Sequence, residues 1–287
     1  MWIIYALVSA FFAGLVAILA KIGMKNIDSN LATALRTVVV VLFAWLMVFI
    51  VGSQSSLLYI DTTSLVFLIF SGLATGGSWL CYFRALQLGN VHKVVSVDKS
   101  SIVLTMLLAF LLLSEGLTLL KLASMVLIGV GTYFMVEHRK HTDRVAKGYR
   151  WLMYAVFSAV FASFAAILGK VGIVGVDSTL GMAIRTVVVL IMAWLIVFMQ
   201  RKHSDIVQIK KQSWLFLGLS GLATGISWLC FYRALQEGPA SVVIPIDKLS
   251  ILITVIFGYF MFHEKLSKKS ILGLVMIVIG TLSLPFL

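Results

Sequence analysis

The sequence predicts an all-α membrane protein with ten transmembrane helices, arranged as two inverted five-helix repeats. Hydrophobic residues make up 61% of the 287 residues and charged residues 12%, whereas soluble domains have roughly 45–50% and 25%. Residues 2–136 align with residues 151–285 at a constant offset and without a gap. Each copy holds five apolar segments of about 20 residues, the length at which an α-helix crosses a bilayer.

The ten segments follow one another in the same order in both copies. They are 2–21, 31–51, 64–86, 93–113 and 119–136, then 151–170, 180–200, 213–235, 242–262 and 268–286. Because five is an odd number of crossings, the second copy is predicted to lie upside down relative to the first. We divide the chain into a first repeat at 1–140, a basic linker at 141–149 and a second repeat at 150–287.

The charges of the loops between the spans predict the orientation of the chain in the membrane. Each loop is numbered here by the span that precedes it. Lys and Arg concentrate in the odd loops: residues 201–213 hold four, whereas their repeat counterpart, 52–64, holds none. Cytoplasmic loops carry the excess of Lys and Arg. The protein is therefore predicted to be a multi-pass protein of the cell (cytoplasmic) membrane with both termini extracytoplasmic, and its net charge of +12 needs no nucleic-acid partner.

Ionisable side chains recur at matched positions inside the spans. Charges in a membrane interior are costly, face the bundle interior and commonly serve function. We interpret these six as a coupling or gating set: Arg36, Asp98, Lys99, Arg185, Asp247 and Lys248. Burial raises the pKa of a carboxyl group toward the range in which it carries a proton, so protons are a candidate coupling ion.

These charged residues also have purely structural interpretations. Long basic side chains near helix ends reach the headgroups, which would explain Lys21, Lys170, Arg84 and Arg233. Asp98 could form a structural ion pair with Arg36 or Arg84, and Asp247 with Arg185 or Arg233. Glu115 and Glu264, with the hydroxyls of Thr118 and Ser267, are interpreted as helix-start residues.

A Ser-Trp motif in spans 3 and 8 predicts the solute site. The stretches 72–99 and 221–248 are the most similar parts of the repeats. The predicted substrate-binding residues are Ser78, Trp79, Tyr82, Ser227 and Trp228. Tryptophan can stack on a solute or bind a cation through its π-face, although tryptophans that only pack are commoner. Glycines spaced four apart in the same spans favour close helix packing, and Pro239 and Pro245 make span 9 a candidate hinge.

Catalytic motifs are missing from the sequence. It contains no GxSxG, HExxH, P-loop or CxxC pattern, so we predict no enzymatic activity, no cofactor and no metal site. Cys81 and Cys230 are interpreted as small apolar side chains.

The whole chain resembles the EamA-type members of the drug/metabolite transporter superfamily. The resemblance rests on the ten spans in two copies and on the motifs FRAL at 83–86 and YRAL at 232–235. It rests also on the last part of each repeat, which in the second repeat reads GPASVVIPIDKLSILITVIFGYFMFHEKLS at 238–267 and is followed by Gly273 and Gly280. It implies a central cavity lined mainly by spans 1, 3, 4, 6, 8 and 9, and export or exchange of small metabolites. The Asp-Lys pairs depart from the general pattern, and relatives often have cytoplasmic termini.

The predicted function is a secondary carrier or exporter of a small organic metabolite such as an amino acid. Inverted repeats around a central site are typical of carriers that work by alternating access. Its partners would be the solute and the lipid bilayer, and a monomer would suffice. The alternatives are a non-transporting membrane assembly or lipid-binding subunit, and, less favoured, an intramembrane enzyme.

Overall fold

The computed structural model describes residues 1–25, 27–113, 118–136, 149–262 and 266–284. Within them the regular elements are all helical. The first repeat forms α1 (Trp2–Gly23), α2 (Ser29–Val51), α3 (Thr62–Leu88), α4 (Val91–Lys99), α5 (Ser101–Leu113) and α6 (Leu119–Val136). The second forms α7 (Arg150–Gly172), α8 (Ser178–Met199), α9 (Lys211–Glu237), α10 (Ala240–Lys248), α11 (Ser250–Phe262) and α12 (Lys268–Ser283). Short 3-10 helices, Ser53–Tyr59 and Lys202–Gln208, follow α2 and α8.

Helix lengths and apolar surfaces confirm the all-helical membrane class. Eight segments among the described residues are long and apolar enough to cross a bilayer, counting α4–α5 and α10–α11 as one segment each. α6 is a shorter apolar helix, and α12 has 16 residues. Large apolar side chains such as Leu42, Phe49, Leu111 and Met199 are more than half exposed, which suits contact with lipid.

Spans 4 and 9 differ from the continuous helices that the sequence predicts. The first breaks at Ser100, between α4 and α5, and the second at Leu249, between α10 and α11. Pro245 lies within α10, but Ser96 occupies the matching position in the unbroken part of α4. Proline is therefore not required for this interruption, at which Ser100 and Leu249 keep right-handed helical backbone angles. The hinge in span 9 stays a prediction.

Side-chain caps start several helices. The Asp28 carboxylate accepts the Asn30 N–H at 2.9 Å and the Asp177 carboxylate accepts the Thr179 N–H at 3.0 Å. The hydroxyls of Thr118 and Ser267 also accept N–H groups three residues later, which confirms their role. Glu115, Glu264 and the linker at 141–148 lie outside the described residues.

The helices of the two repeats pack against one another in matched pairs. α1 packs on α9 as α3 packs on α7, while α2 packs on α8 and α6 on α12. At the α2–α8 contact, the amide of Asn30, at the start of α2, donates to Gln200, just after the end of α8, at 2.8 Å. α2 and α8 therefore run antiparallel.

Two glycines allow close approaches between further helices of the two repeats. A Cβ added to Gly72 would lie 2.8 Å from the backbone oxygen of Arg185, and one added to Gly221 would lie 2.8 Å from that of Arg36. The contacts confirm the close packing expected from the glycine spacing, and they hold α3 against α8 and α9 against α2.

Substituting Gly72 by valine is expected to destabilise the bundle. The β-branched side chain would meet helix backbone, which cannot rotate away, and overpacking typically costs about 1–3 kcal/mol. The measurement is the thermal-unfolding midpoint in detergent. Gly129→Val is the matched control, because a Cβ there meets nothing within 4 Å. Equal midpoints for both variants would contradict the prediction.

The basic residues near helix ends make defined contacts. Lys21 Nζ donates to the Gly89 carbonyl at 2.7 Å, and Lys170 Nζ to the Leu235 carbonyl at 2.6 Å. Arg84 donates to Gln87, and Arg233 pairs with Glu237 at 2.7 Å. These basic groups therefore bind carbonyl and side-chain oxygens near helix ends.

Candidate functional site

An internal cavity of about 160 Å³ lies between the two repeats. Its lining comes from α1, α2, α3, α4, α5, α7, α8, α9 and α10. All eleven sequence-predicted candidates line it: Arg36, Ser78, Trp79, Tyr82, Asp98, Lys99, Arg185, Ser227, Trp228, Asp247 and Lys248. Their roles stay predictions, but the fold brings them together.

Two tryptophans, one from each repeat, meet inside the cavity. The rings of Trp79 and Trp228 pack edge to face with centroids 5.4 Å apart. The Arg36 guanidinium carbon lies 5.3 Å from the Trp79 ring, and that of Arg185 lies 4.3 Å from the Trp228 ring. Four side chains thus form a continuous row of contacts, arginine–tryptophan–tryptophan–arginine.

Both arginines are almost completely buried, at 1% exposure each. Phe83 and Tyr232 cover a second side of their guanidinium groups, at 4.4 and 4.6 Å. Removing a charge from water costs several kcal/mol, whereas a cation–π contact returns about 2 kcal/mol when desolvated. Aromatic stacking therefore offsets only part of the cost of burying each arginine.

Hydrogen bonds leave part of each guanidinium without a partner. Arg36 Nη2 donates to the Thr224 hydroxyl, and Arg185 Nη2 to the Thr75 hydroxyl. Nε and Nη1 of Arg36 and Nε of Arg185 are buried without a hydrogen bond. Buried donors without acceptors are costly, so hydrogen bonding compensates the burial of each arginine only in part.

The two aspartates each bind a serine of the other repeat. Ser158 Oγ donates to Asp98 Oδ1 at 2.8 Å, and Ser9 Oγ donates to Asp247 Oδ1 at 2.6 Å. The backbone carbonyl of Ser158 in turn accepts the Ser78 hydroxyl at 3.1 Å. The backbone carbonyl of Ser9 likewise accepts the Ser227 hydroxyl at 3.0 Å. Across the described residues, no ion pair joins either aspartate to an arginine, so the structural ion-pair alternative was wrong there.

Sequence reasoning missed four side chains that complete the site. Ser9 and Ser158 are repeat equivalents in spans 1 and 6, and Phe83 and Tyr232 are repeat equivalents at the ends of spans 3 and 8. The repeat alignment marks both pairs as matched polar or aromatic positions. It does not mark their partners. The two serines bind aspartates of the other repeat, whereas the two aromatic rings stack on arginines of the preceding span in the same repeat.

These features define a multi-pass membrane protein with a polar internal cavity between two repeats. The chain belongs to the EamA-like transporter family, whose model matches residues 1–137 and again 149–284. An uncharacterized transporter in the cobO 3'region of a Sinorhizobium species is 43% identical over 134 residues, which cover 95% of that relative and 47% of this chain. A protein of known crystal structure shares the fold, with a TM-score of 0.75, 19% identity, and 98% of this chain and 96% of that chain covered. The protein is thus a membrane transporter, which confirms the family resemblance.

Proposed function

We propose that the protein is a secondary transporter of a small organic metabolite such as an amino acid. The observation that carries the proposal is the polar cavity between the repeats, which combines aromatic surface with a few charged groups. Solute sites commonly consist of apolar and aromatic walls with a few convergent polar groups. A cavity of about 160 Å³ exceeds several times the roughly 30 Å³ that one water occupies in the liquid.

The proposed mechanism is alternating access between two inverted five-span repeats. Its support is the antiparallel contact of α2 with α8 and the position of the cavity between the repeats. A central site between two repeats is typical of inverted-repeat carriers. The Asp98–Ser158 and Asp247–Ser9 hydrogen bonds join opposite repeats, so they are candidate gates that would open in turn.

The proposed topology has ten spans in the cytoplasmic membrane, with both termini outside the cytoplasm. Its support is the concentration of Lys and Arg in odd loops. We expect an alkaline phosphatase fusion at either terminus to be active and a green fluorescent protein fusion to be dark, because the first needs the outside and the second the cytoplasm. Fluorescent fusions at both ends would show that the termini lie in the cytoplasm and would contradict the proposed topology.

Liposome flux tests transport against the alternative of a non-transporting assembly or lipid-binding subunit. The purified chain alone, reconstituted in liposomes, is expected to accelerate the entry of at least one solute from a panel of amino acids and organic acids. Empty liposomes and liposomes with heat-denatured protein are the controls. A panel in which no solute moves faster than in the controls would favour the alternative.

A further inference from the structure

We infer that the solute is a small organic dianion, with one acid group bound by the cationic side chains of each repeat. The inference rests on the proposed function, since it names the substrate class of the same cavity. Its basis is the balance of charge in the cavity, the partners that the charged groups already have, and the repetition of the same cationic set in both halves.

The cavity lining carries an excess of positive charge. Its basic side chains are Arg36, Lys99, Arg185 and Lys248, and its acidic side chains are Asp98 and Asp247. Four cations face two anions in one enclosed space. Because charges in a low-dielectric interior need compensation, a solute with two negative charges would balance the lining.

The contacts of these groups show which of them are available to a solute. Each aspartate accepts a serine hydroxyl through Oδ1, and each arginine donates Nη2 to a threonine hydroxyl. Within the described part of the chain, the ammonium groups of Lys99 and Lys248 have no hydrogen bond or ion pair. The two lysines are therefore the donors open to a solute, and a carboxylate supplies only acceptors.

Repetition of the cationic set argues for two acid groups rather than one. Arg36 and Lys99 in the first repeat correspond to Arg185 and Lys248 in the second. The touching Trp79 and Trp228 rings link the two guanidinium groups and offer apolar surface to a short carbon chain. This arrangement favours a dicarboxylate without an ammonium group, since an acidic amino acid carries only one net negative charge.

A matched charge series tests the inference on the full purified chain in detergent. The probes are succinate, its half-amide succinamate and its diamide succinamide, with malonate and glutarate and their diamides as length variants. We expect at least one dicarboxylate to raise the thermal-unfolding midpoint in a saturable way. Its half-amide is expected to bind at least tenfold more weakly, and its diamide is expected to leave the midpoint unchanged. Charge, and not shape, is what changes along each series.

Variants locate the binding in the cavity. Lys99→Gln and Lys248→Gln are each expected to weaken dicarboxylate binding tenfold or more, while Lys99→Arg retains it and the exposed-loop control Lys25→Gln changes nothing. Midpoints without ligand check that the variants fold. Diamides that bind as well as dicarboxylates, no saturable effect of any dicarboxylate, or unchanged binding in both glutamine variants would overturn the inference. If one of these results were found and the protein still carried a neutral or cationic solute into liposomes, the dianion inference would be wrong and the proposed transport function would be retained.

Discussion

Replacing Trp79 and Trp228 together by alanine is expected to weaken solute binding about thirtyfold. The two rings contact each other and support the guanidinium groups of Arg36 and Arg185. The solute would lose its contact with two aromatic rings at the centre of the cavity. At about 1 kcal/mol for each ring this removes roughly 2 kcal/mol of binding free energy, and each 1.4 kcal/mol is a factor of ten in affinity.

The measurement is the affinity of the transported solute for the purified double variant. Trp45→Ala with Trp194→Ala is the matched control, since these half-buried tryptophans are also repeat equivalents but stack on Phe49 and Phe198 outside the cavity lining. We expect both double variants to lose stability and only the first to lose affinity. A folded Trp79/Trp228 variant with unchanged affinity would show that these tryptophans only pack.

Replacing Asp98 and Asp247 together by asparagine is expected to slow transport by at least a hundredfold and to remove its pH dependence. An asparagine oxygen can still accept the hydroxyls of Ser158 and Ser9, so the contact between the repeats survives. What disappears is the negative charge and the ability to take up a proton. A hundredfold change in rate corresponds to about 2.7 kcal/mol in the barrier.

The measurement is liposome flux across a pH series. The other charged and titratable side chains on the cavity wall are Tyr82, Tyr232, Lys99, Lys248, Arg36 and Arg185, and the pH profile of the Asp variant reports whatever they contribute. The control is Asp28→Asn with Asp177→Asn, a repeat-matched pair at helix starts, where asparagine caps as well as aspartate. Unchanged flux and pH profile in the Asp98/Asp247 variant would exclude the aspartates from coupling.

The sequence by itself determined the membrane class, the twofold repeat and the residues worth testing. Hydrophobic segments, caps such as Thr118 and Ser267, and matched charges such as Asp98 and Asp247 are local features, so they can be identified along the chain without knowing what lies beside them. The repeat alignment strengthened each, because the same feature occurs at the matching position of both copies.

Only the tertiary structure decided how those residues are satisfied. Asp247 binds Ser9, 238 positions away in the chain, and Arg36 binds Thr224, 188 positions away. The sequence suggested arginine as the partner of each aspartate, but the packing of α1 on α9 and of α3 on α7 brought serines there instead. Each arginine stacks on aromatic rings of the next span in its own repeat, Arg36 on those of α3 and Arg185 on those of α9. No periodicity within one segment specifies which side chains of two packed helices meet.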